Sequence, residues 1–221
     1  MPEKTHDYQN DEIVVRYRLS RCIHAAACVR GLPHVFDPNR KPWVDASAAD
    51  GDAIAEVVMR CPTGALHFER LDGGPAETPD ETNTVLPTPR GPLYVRGDLE
   101  IRDASGAVTL RDTRVALCRC GQSANKPFCD GSHWNARFAD DGRVAENKLT
   151  GEFGAGGGPL VITATENGPL RIEGPVELWS SDANAAHRGA RGTLCRCGQS
   201  ATKPYCDGSH TRIGFVGDAR K

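Results

Sequence analysis

The chain has 221 residues, a formal net charge of −2, 6% aromatic residues, 24 Gly and 15 Pro. That balance excludes a nucleic-acid or anionic-membrane binder driven by bulk charge, and no apolar run approaches the roughly 20 residues that span a bilayer. Few aromatics and many Gly and Pro imply small cores, with bound metal contributing to stability. The first residues, Met1 to Asp7, are polar and carry no apolar leader, so a cytoplasmic location is expected. Nine cysteines fall into three groups of three, at 22/28/61, 118/120/129 and 195/197/206. Odd-numbered groups in a reducing compartment read as metal ligands rather than disulfides.

Taken in order, Ile13, Val15, Tyr17 and Leu19 alternate with more polar residues and predict a strand. Cys22 to Val29 is rich in Ala and predicts a short helix. Asp50 is placed to cap a helix through Met59, with Ile54, Val57 and Val58 on its apolar face. That helix delivers Cys61-Pro62, and Leu66 and Phe68 suggest a closing strand. Together these define a domain over residues 8–69, followed by a polar linker at 70–83 rich in Pro, Thr, Glu and Asp.

The rest of the chain is a duplication. Cys118-Arg-Cys-Gly-Gln-Ser-Ala-Asn-Lys-Pro-Phe-Cys-Asp-Gly-Ser-His133 returns, almost unchanged, as Cys195-Arg-Cys-Gly-Gln-Ser-Ala-Thr-Lys-Pro-Tyr-Cys-Asp-Gly-Ser-His210. The offset of 77 between Cys118 and Cys195 also relates Gly91 to Gly168, Gly97 to Gly174 and Leu117 to Leu194, so a whole domain is repeated. Each unit opens with strand-like text (84–88 and 161–165), then Leu93-Tyr94-Val95 and Leu99-Glu100-Ile101 or their equivalents. Short strands in a hairpin or meander follow from that pattern. The units span 84–150 and 161–217, joined by a Gly-rich junction at 151–160. The cassettes predict loops, with Asp130 and Asp207 as caps of a short helix carrying His133 and His210.

Three thiolates and one imidazole are a complete ligand set for zinc or for an iron–sulfur cluster. The candidate ligands are Cys118, Cys120, Cys129 and His133 in one unit and Cys195, Cys197, Cys206 and His210 in the other. A Cys-x-Cys pair can direct two thiolates at one metal, and the four-residue step from Cys129 to His133 puts both on one face of a helical turn. Ser123, Asp130, Ser200 and Asp207 are candidate partners for the sulfurs, the loop backbone or the ligand histidine. Lys126 and Lys203 read as surface charges, Trp134 as a cover over the first site, and His6, His34, His67 and His187 as solvated or hydrogen-bonded histidines.

The pattern Cys-x-Cys-x2-Ser-x3-Pro-x-Cys-Asp-Gly-Ser-His resembles the CDGSH signature of the mitoNEET-like proteins at every defined position, in both copies. The resemblance implies one [2Fe-2S] cluster per unit, held by three Cys and one His. It also implies two units packed against each other as an intramolecular pseudo-dimer, in a protein that acts as a monomer. Neutral imidazole in place of a thiolate raises the reduction potential and makes the cluster leave in mild acid. Cys22-Ile-His24-Ala-Ala-Ala-Cys28, Arg40-Lys41-Pro42-Trp43 and Cys61-Pro62-Thr63-Gly64-Ala65-Leu66 resemble the divergent 4Fe-4S mono-cluster domain, which implies a small α/β ferredoxin-like fold. Only three cysteines are present there. His24 is one candidate fourth ligand, a [3Fe-4S] cluster held by three thiolates is a second solution, and cysteines that are merely small buried apolar groups are a third.

The expected whole is α+β: a small N-terminal domain and two β-rich units. The expected function is electron transfer to a redox protein partner, with no enzymatic motif in view. The alternatives are cluster transfer to an apo-acceptor, cluster storage or redox sensing, a zinc-stapled interaction module, and an oxidoreductase acting at the N-terminal cluster.

Overall fold

The computed structural model describes residues 4–154, 157–182 and 186–217. The Gly-rich junction therefore lies partly outside the described residues, at 155–156, as do 183–185 of the second unit. The described structure is mostly β with a few short helices, and none of those helices is long and apolar enough to cross a membrane. Two compact units meet between residues 78 and 79.

In the first unit, strands β1 (Thr5–Gln9), β2 (Ile13–Arg18) and β3 (Leu66–Arg70) form an antiparallel sheet with β2 in the centre. The alternation in β2 buries Ile13, Val15 and Tyr17 on the face that meets helix α2 (Gly51–Met59). The Asp50 carboxylate accepts the Ala53 N–H at 2.8 Å, as its capping position predicts, and Ile54, Val57 and Val58 fill the core. The expected helix over Cys22–Val29 is not formed. Helix α1 covers only Ala27–Gly31, because His24 and Ala26 take left-handed backbone, at φ 57° and 60°. Such residues interrupt a right-handed helix and instead bend the chain between Cys22 and Cys28. The residues read as a linker are tied down at both ends: Glu77 holds His67 at 2.8 Å, and Asp80 holds Arg96 at 2.7 Å.

The second unit holds both repeats in one sheet. Its strands are β4 (Thr84–Pro87), β5 (Leu93–Arg102), β6 (Val108–Leu117), β7 (Leu160–Ala164), β8 (Leu170–Trp179) and β9 (Ala186–Leu194). The antiparallel pairs β4–β5 and β7–β8 follow the sequence reading, but the stretches 93–95 and 99–101, read as separate short strands, form the single strand β5, and its hairpin partner β6, like β9 in the second repeat, was not read from the sequence. The pairing between repeats does not follow from it. β7 runs parallel to β5, Leu99 opposite Leu160, and β4 runs parallel to β8, Thr84 opposite Glu177. Each repeat's first strand thus bridges its own hairpin and the other repeat's. The apolar faces merge into one core, including Val85, Leu99, Ile101, Leu160, Ile162 and Val176.

Gly97 and Gly174 stand where these crossings occur, at φ 129° and 121°. A Cβ on Gly174 would run into the Pro159 carbonyl and lie 3.3 Å from Leu160 Cα, both backbone and unable to yield. Gly174→Ala should therefore destabilise the second unit by about 1–3 kcal/mol. A thermal melt of the holo-protein with an unchanged midpoint would refute the crossing as a point of close approach.

Candidate metal centres

Each cassette starts at the end of a long strand and returns beside it. Leu117 pairs with Phe128, and Leu194 with Tyr205. The Cys118 N–H donates to Pro127 O at 2.8 Å and the Cys129 N–H to Ala116 O at 2.8 Å; Cys195 and Cys206 do the same with Pro204 and Thr193. This short antiparallel step brings the third cysteine alongside the first.

The loop between is held by the serine and aspartate of the motif. Ser123 Oγ donates to Phe128 O at 2.7 Å and accepts the Asn125 N–H at 2.9 Å. Asp130 accepts the N–H groups of Ala124 and Ser132. Ser200 and Asp207 repeat the pattern with Tyr205, Thr202, Ala201 and Ser209. All four side chains therefore bond the loop backbone. Only the second copy has a helix here, α3 (Ser209–Arg212), and its N-cap residue is Gly208 rather than Asp207. In the first copy His133 sits in turns.

The donors come in pairs. Cys118 Sγ and Cys120 Sγ are 3.9 Å apart, Cys195 Sγ and Cys197 Sγ 3.8 Å, and Cys129 Sγ and His133 Nδ1 3.3 Å. Two thiolates on one tetrahedral metal at ordinary bond lengths stand about 3.8 Å apart, and a thiolate and an imidazole nitrogen about 3.5 Å. The cysteine pairs and the Cys129–His133 pair thus have the bite of one metal each. Among the described residues, no group of three donors converges as a single-ion site would require. In the second site, His210 Nδ1 lies 3.4 Å from Thr211 Oγ1.

Charge in these sites is managed by backbone N–H groups. Cys118 is pulled down to about 6, first by the hydrogen bond with Cys120 and then by the N–H groups of Ser123 and Gly121, against the opposing effect of burial. Burial pushes Cys129 up to about 12, although the Gly131 N–H reaches its sulfur at 3.4 Å. Burial also raises Cys195 and Cys206 and lowers His133, which favours the neutral imidazole that binds metal. Metal must displace protons from such thiols, so loading is favoured as pH rises.

The copies differ on their outer side. Cys129 and His133 are buried, whereas Cys206 and His210 are half-buried. The Trp134 ring packs 5.0 Å from the His133 ring, yet Trp134 itself is 69% exposed, so it covers the histidine with one face only. The lysines of the motif are not free surface charges: Lys126 donates to Ser123 O at 2.6 Å and Lys203 to Ser200 O, both half-buried. Burial of loop backbone in need of donors is the reason. The arginine between the paired cysteines, Arg119 or Arg196, went unremarked in the sequence although it recurs in both cassettes. Each is fully buried and donates to two carbonyls of the preceding turn.

The two cassettes also touch. A Cβ on Gly121 would lie 2.5 Å from Cys197 O, and one on Gly198 would lie 2.7 Å from Cys120 O. Only glycine permits this approach of backbone to backbone.

In the first unit, Cys22, Cys28 and Cys61 line one small cavity with Tyr17 and Trp43. The Cys61 sulfur is 3.5 Å from Thr63 Oγ1. Burial first, then the neighbouring Cys61, raises Cys28 to about 11. His24 lines an adjoining apolar groove with Cys22 and Cys28, and that groove does not include Cys61. Of the four histidines read as non-ligands, His67 is held by Glu77 and His187 lies 3.4 Å from Val144 O.

Three groups of soft donors, two of them built alike, define a thiolate-rich metal-binding protein, and its relatives specify iron–sulfur. A family described as iron-binding zinc finger, CDGSH type, matches residues 90–134 and 167–211, and one described as divergent 4Fe-4S mono-cluster matches residues 8–70. The uncharacterized protein YjdI of Escherichia coli K12 is 34% identical over 61 residues, which make up 28% of this chain and 80% of that protein. YjdI of Escherichia coli O157:H7 matches to the same extent. The chain belongs to the CDGSH iron-binding family, as a tandem member preceded by a divergent 4Fe-4S mono-cluster domain.

Asp207 links two strands of the loop, and its carboxyl is held well below the usual range, first by the Ala201 N–H. A depressed carboxyl contributes stability above its unfolded pKa and loses it only as pH falls through the folded value, so this tie persists in mild acid. Asp207→Ala should speed chelator-driven iron release by about tenfold at neutral pH. A release rate equal to wild type would remove Asp207 from the support of the site.

Proposed function

We propose that this protein is a cytoplasmic electron carrier that holds two [2Fe-2S] clusters in the second unit and a third iron–sulfur cluster in the first. The observation that carries this reading is the pairing of the donors. Cys118 with Cys120, and Cys129 with His133, each have the bite of a single metal, which suits a two-iron core better than one zinc ion. Cys195, Cys197, Cys206 and His210 form the second set. The clusters supply reversible one-electron chemistry when bound.

The protein's own groups prepare those sites for an extra electron. Backbone N–H groups of Gly121, Ser123 and Gly131, and of Gly198, Ser200 and Gly208, point at sulfur and stabilise negative charge there. Neutral imidazole reduces the charge further. The strand crossings and the contact of the cassettes support an intramolecular pseudo-dimer, in which one chain contains what two subunits would otherwise bring. A monomer handing electrons to a redox protein partner follows.

In the first unit, which we take to be ferredoxin-like, Cys22, Cys28 and Cys61 hold the third cluster. His24 is left out of the ligand set because it does not line the cavity the three cysteines share. A second reading, transfer of a cluster to an apo-acceptor, is favoured by the half-buried Cys206 and His210, the ligand pair most open to exchange.

Iron and sulfide analysis of anaerobically purified protein, with EPR before and after dithionite, tests the reading. About four irons belong to the two [2Fe-2S] centres, and a total of about seven or eight adds a [3Fe-4S] or [4Fe-4S] cluster. Cys61→Ser should bring the total back to about four, whereas His24→Ala should leave it unchanged. Two zinc ions and no colour would overturn the proposal.

His133→Cys and His210→Cys should each lower the potential of one centre and make it survive at lower pH, because a thiolate replaces the protonatable ligand. Unaltered acid bleaching in both variants would refute histidine ligation.

A further inference from the structure

Because the two sites are copies, every neighbour of one can be compared with its counterpart 77 residues away. Arg119 and Arg196 occupy equivalent places. Arg119 donates Nε to Gly91 O at 3.0 Å and Nη2 to Thr88 O at 2.5 Å; Arg196 does so to Gly168 O at 2.8 Å and Thr165 O at 2.5 Å. Each lies beneath an aromatic ring, Phe138 or Phe215. The third nitrogen breaks the symmetry. Arg119 Nη1 is paired with Asp140, whereas the counterpart of Asp140 is Gly217, and Arg196 Nη1 is buried without a hydrogen-bond partner.

The lysines follow the same division. Lys203 Nζ lies 4.0 Å from Asp140 Oδ2, so this one carboxylate compensates two cations, one from each repeat. Lys126 Nζ instead faces the Phe215 ring, 5.9 Å from its centre. Among the described residues, no carboxylate compensates Arg196 and Lys126. These two cations act on Cys118, in the first site, while Arg119 acts on Cys195, in the second, and also on His133 of its own cassette. Each arginine thus belongs to one cassette and its charge is felt at the other's first cysteine.

We infer that Asp140 sets the two [2Fe-2S] centres to different potentials: it cancels cationic charge at the second site, while Arg196 and Lys126 keep theirs at the first, so the first centre takes the electron first. The inference rests on the proposed [2Fe-2S] ligation. Uncompensated positive charge stabilises the reduced, more negative form. The deeper burial of Cys129 and His133 works the other way, since burial disfavours added charge. The charge effect prevails because Cys118 and Cys195, the cysteines on which the arginines act, are equally buried at 0% exposure. Water therefore screens neither arginine from its cysteine, and the exposure difference is confined to the outer ligand pair.

An EPR-monitored redox titration of the anaerobic holo-protein tests this, with His133→Cys and His210→Cys assigning each signal. Wild type should show two midpoints, the higher belonging to the first centre. Asp140→Asn keeps an acceptor for the Gly142 N–H, which Asp140 holds at 2.9 Å, and removes only charge. It should raise the lower midpoint by more than the higher one. Arg196→Gln should lower the higher midpoint, and Arg196→Lys should restore most of it. Midpoints that do not move in Asp140→Asn, or that move by equal amounts, would overturn the inference. Asp218, outside the described residues, provides a further control: Asp218→Asn should change neither midpoint, and a rise of the higher one would show that Arg196 is compensated after all. Protein without [2Fe-2S] signals fails the functional reading instead, whereas intact signals with unmoved midpoints fail this inference alone.

Discussion

The short antiparallel step at which Leu117 meets Phe128, and Leu194 meets Tyr205, is the constraint on which both metal sites depend. It places the first cysteine of each motif at the buried end of a long strand and the third cysteine beside it. Ten residues lie between Cys118 and Cys129, and without this closure they would leave two ligand pairs with no relation to each other. The closure is inexpensive to maintain. Its backbone bonds contribute roughly 1 kcal/mol each, and Leu117 and Leu194 are fixed by the core on which the strands lie. Ser123, Asp130 and their counterparts complete the loop by satisfying N–H groups that would otherwise be buried alone.

The strand crossing gives the duplication its consequence. Two separate copies of so small a unit would each bury little, whereas pairing β7 to β5 and β4 to β8 produces one core from two. It also brings the Cys-x-Cys-Gly turns back to back. Residues of one repeat then become neighbours of the other repeat's site. A single divergence, Asp140 in one copy and Gly217 in the other, therefore changes the charge balance of both sites at once. Trp134 and Thr211 mark a second divergence, on the outer side, where the first site is better covered.

The first unit follows a different logic. Its sheet and helix α2 form an ordinary apolar core, and the cysteines line a cavity at its margin beside Tyr17 and Trp43. The loop from Cys22 to Cys28 is shaped by the left-handed His24 and Ala26. Such backbone is disfavoured by roughly 1–2 kcal/mol per residue and is maintained by the surrounding packing. Alanine-rich text reads as helix because local propensity is all the sequence displays.

Much of the candidate site was legible in the chain because metal-binding residue types are few, chemically distinct and repeated at equal spacing. The cassettes, the cysteine pairs, the capping by Asp50 and the alternation in β2 are local properties, and local physics suffices to read them. The partners of the strands are not local. β4 and β7 carry the same pattern whether they pair within their own repeat or with the other, so only the assembled sheet decides it. The same holds for Arg119 and Arg196, whose sequence shows a charge between two cysteines but neither its burial nor its counter-ion. The candidate ligands follow from the chemistry of single residues; their electrostatic surroundings follow from which distant residues the fold places beside them.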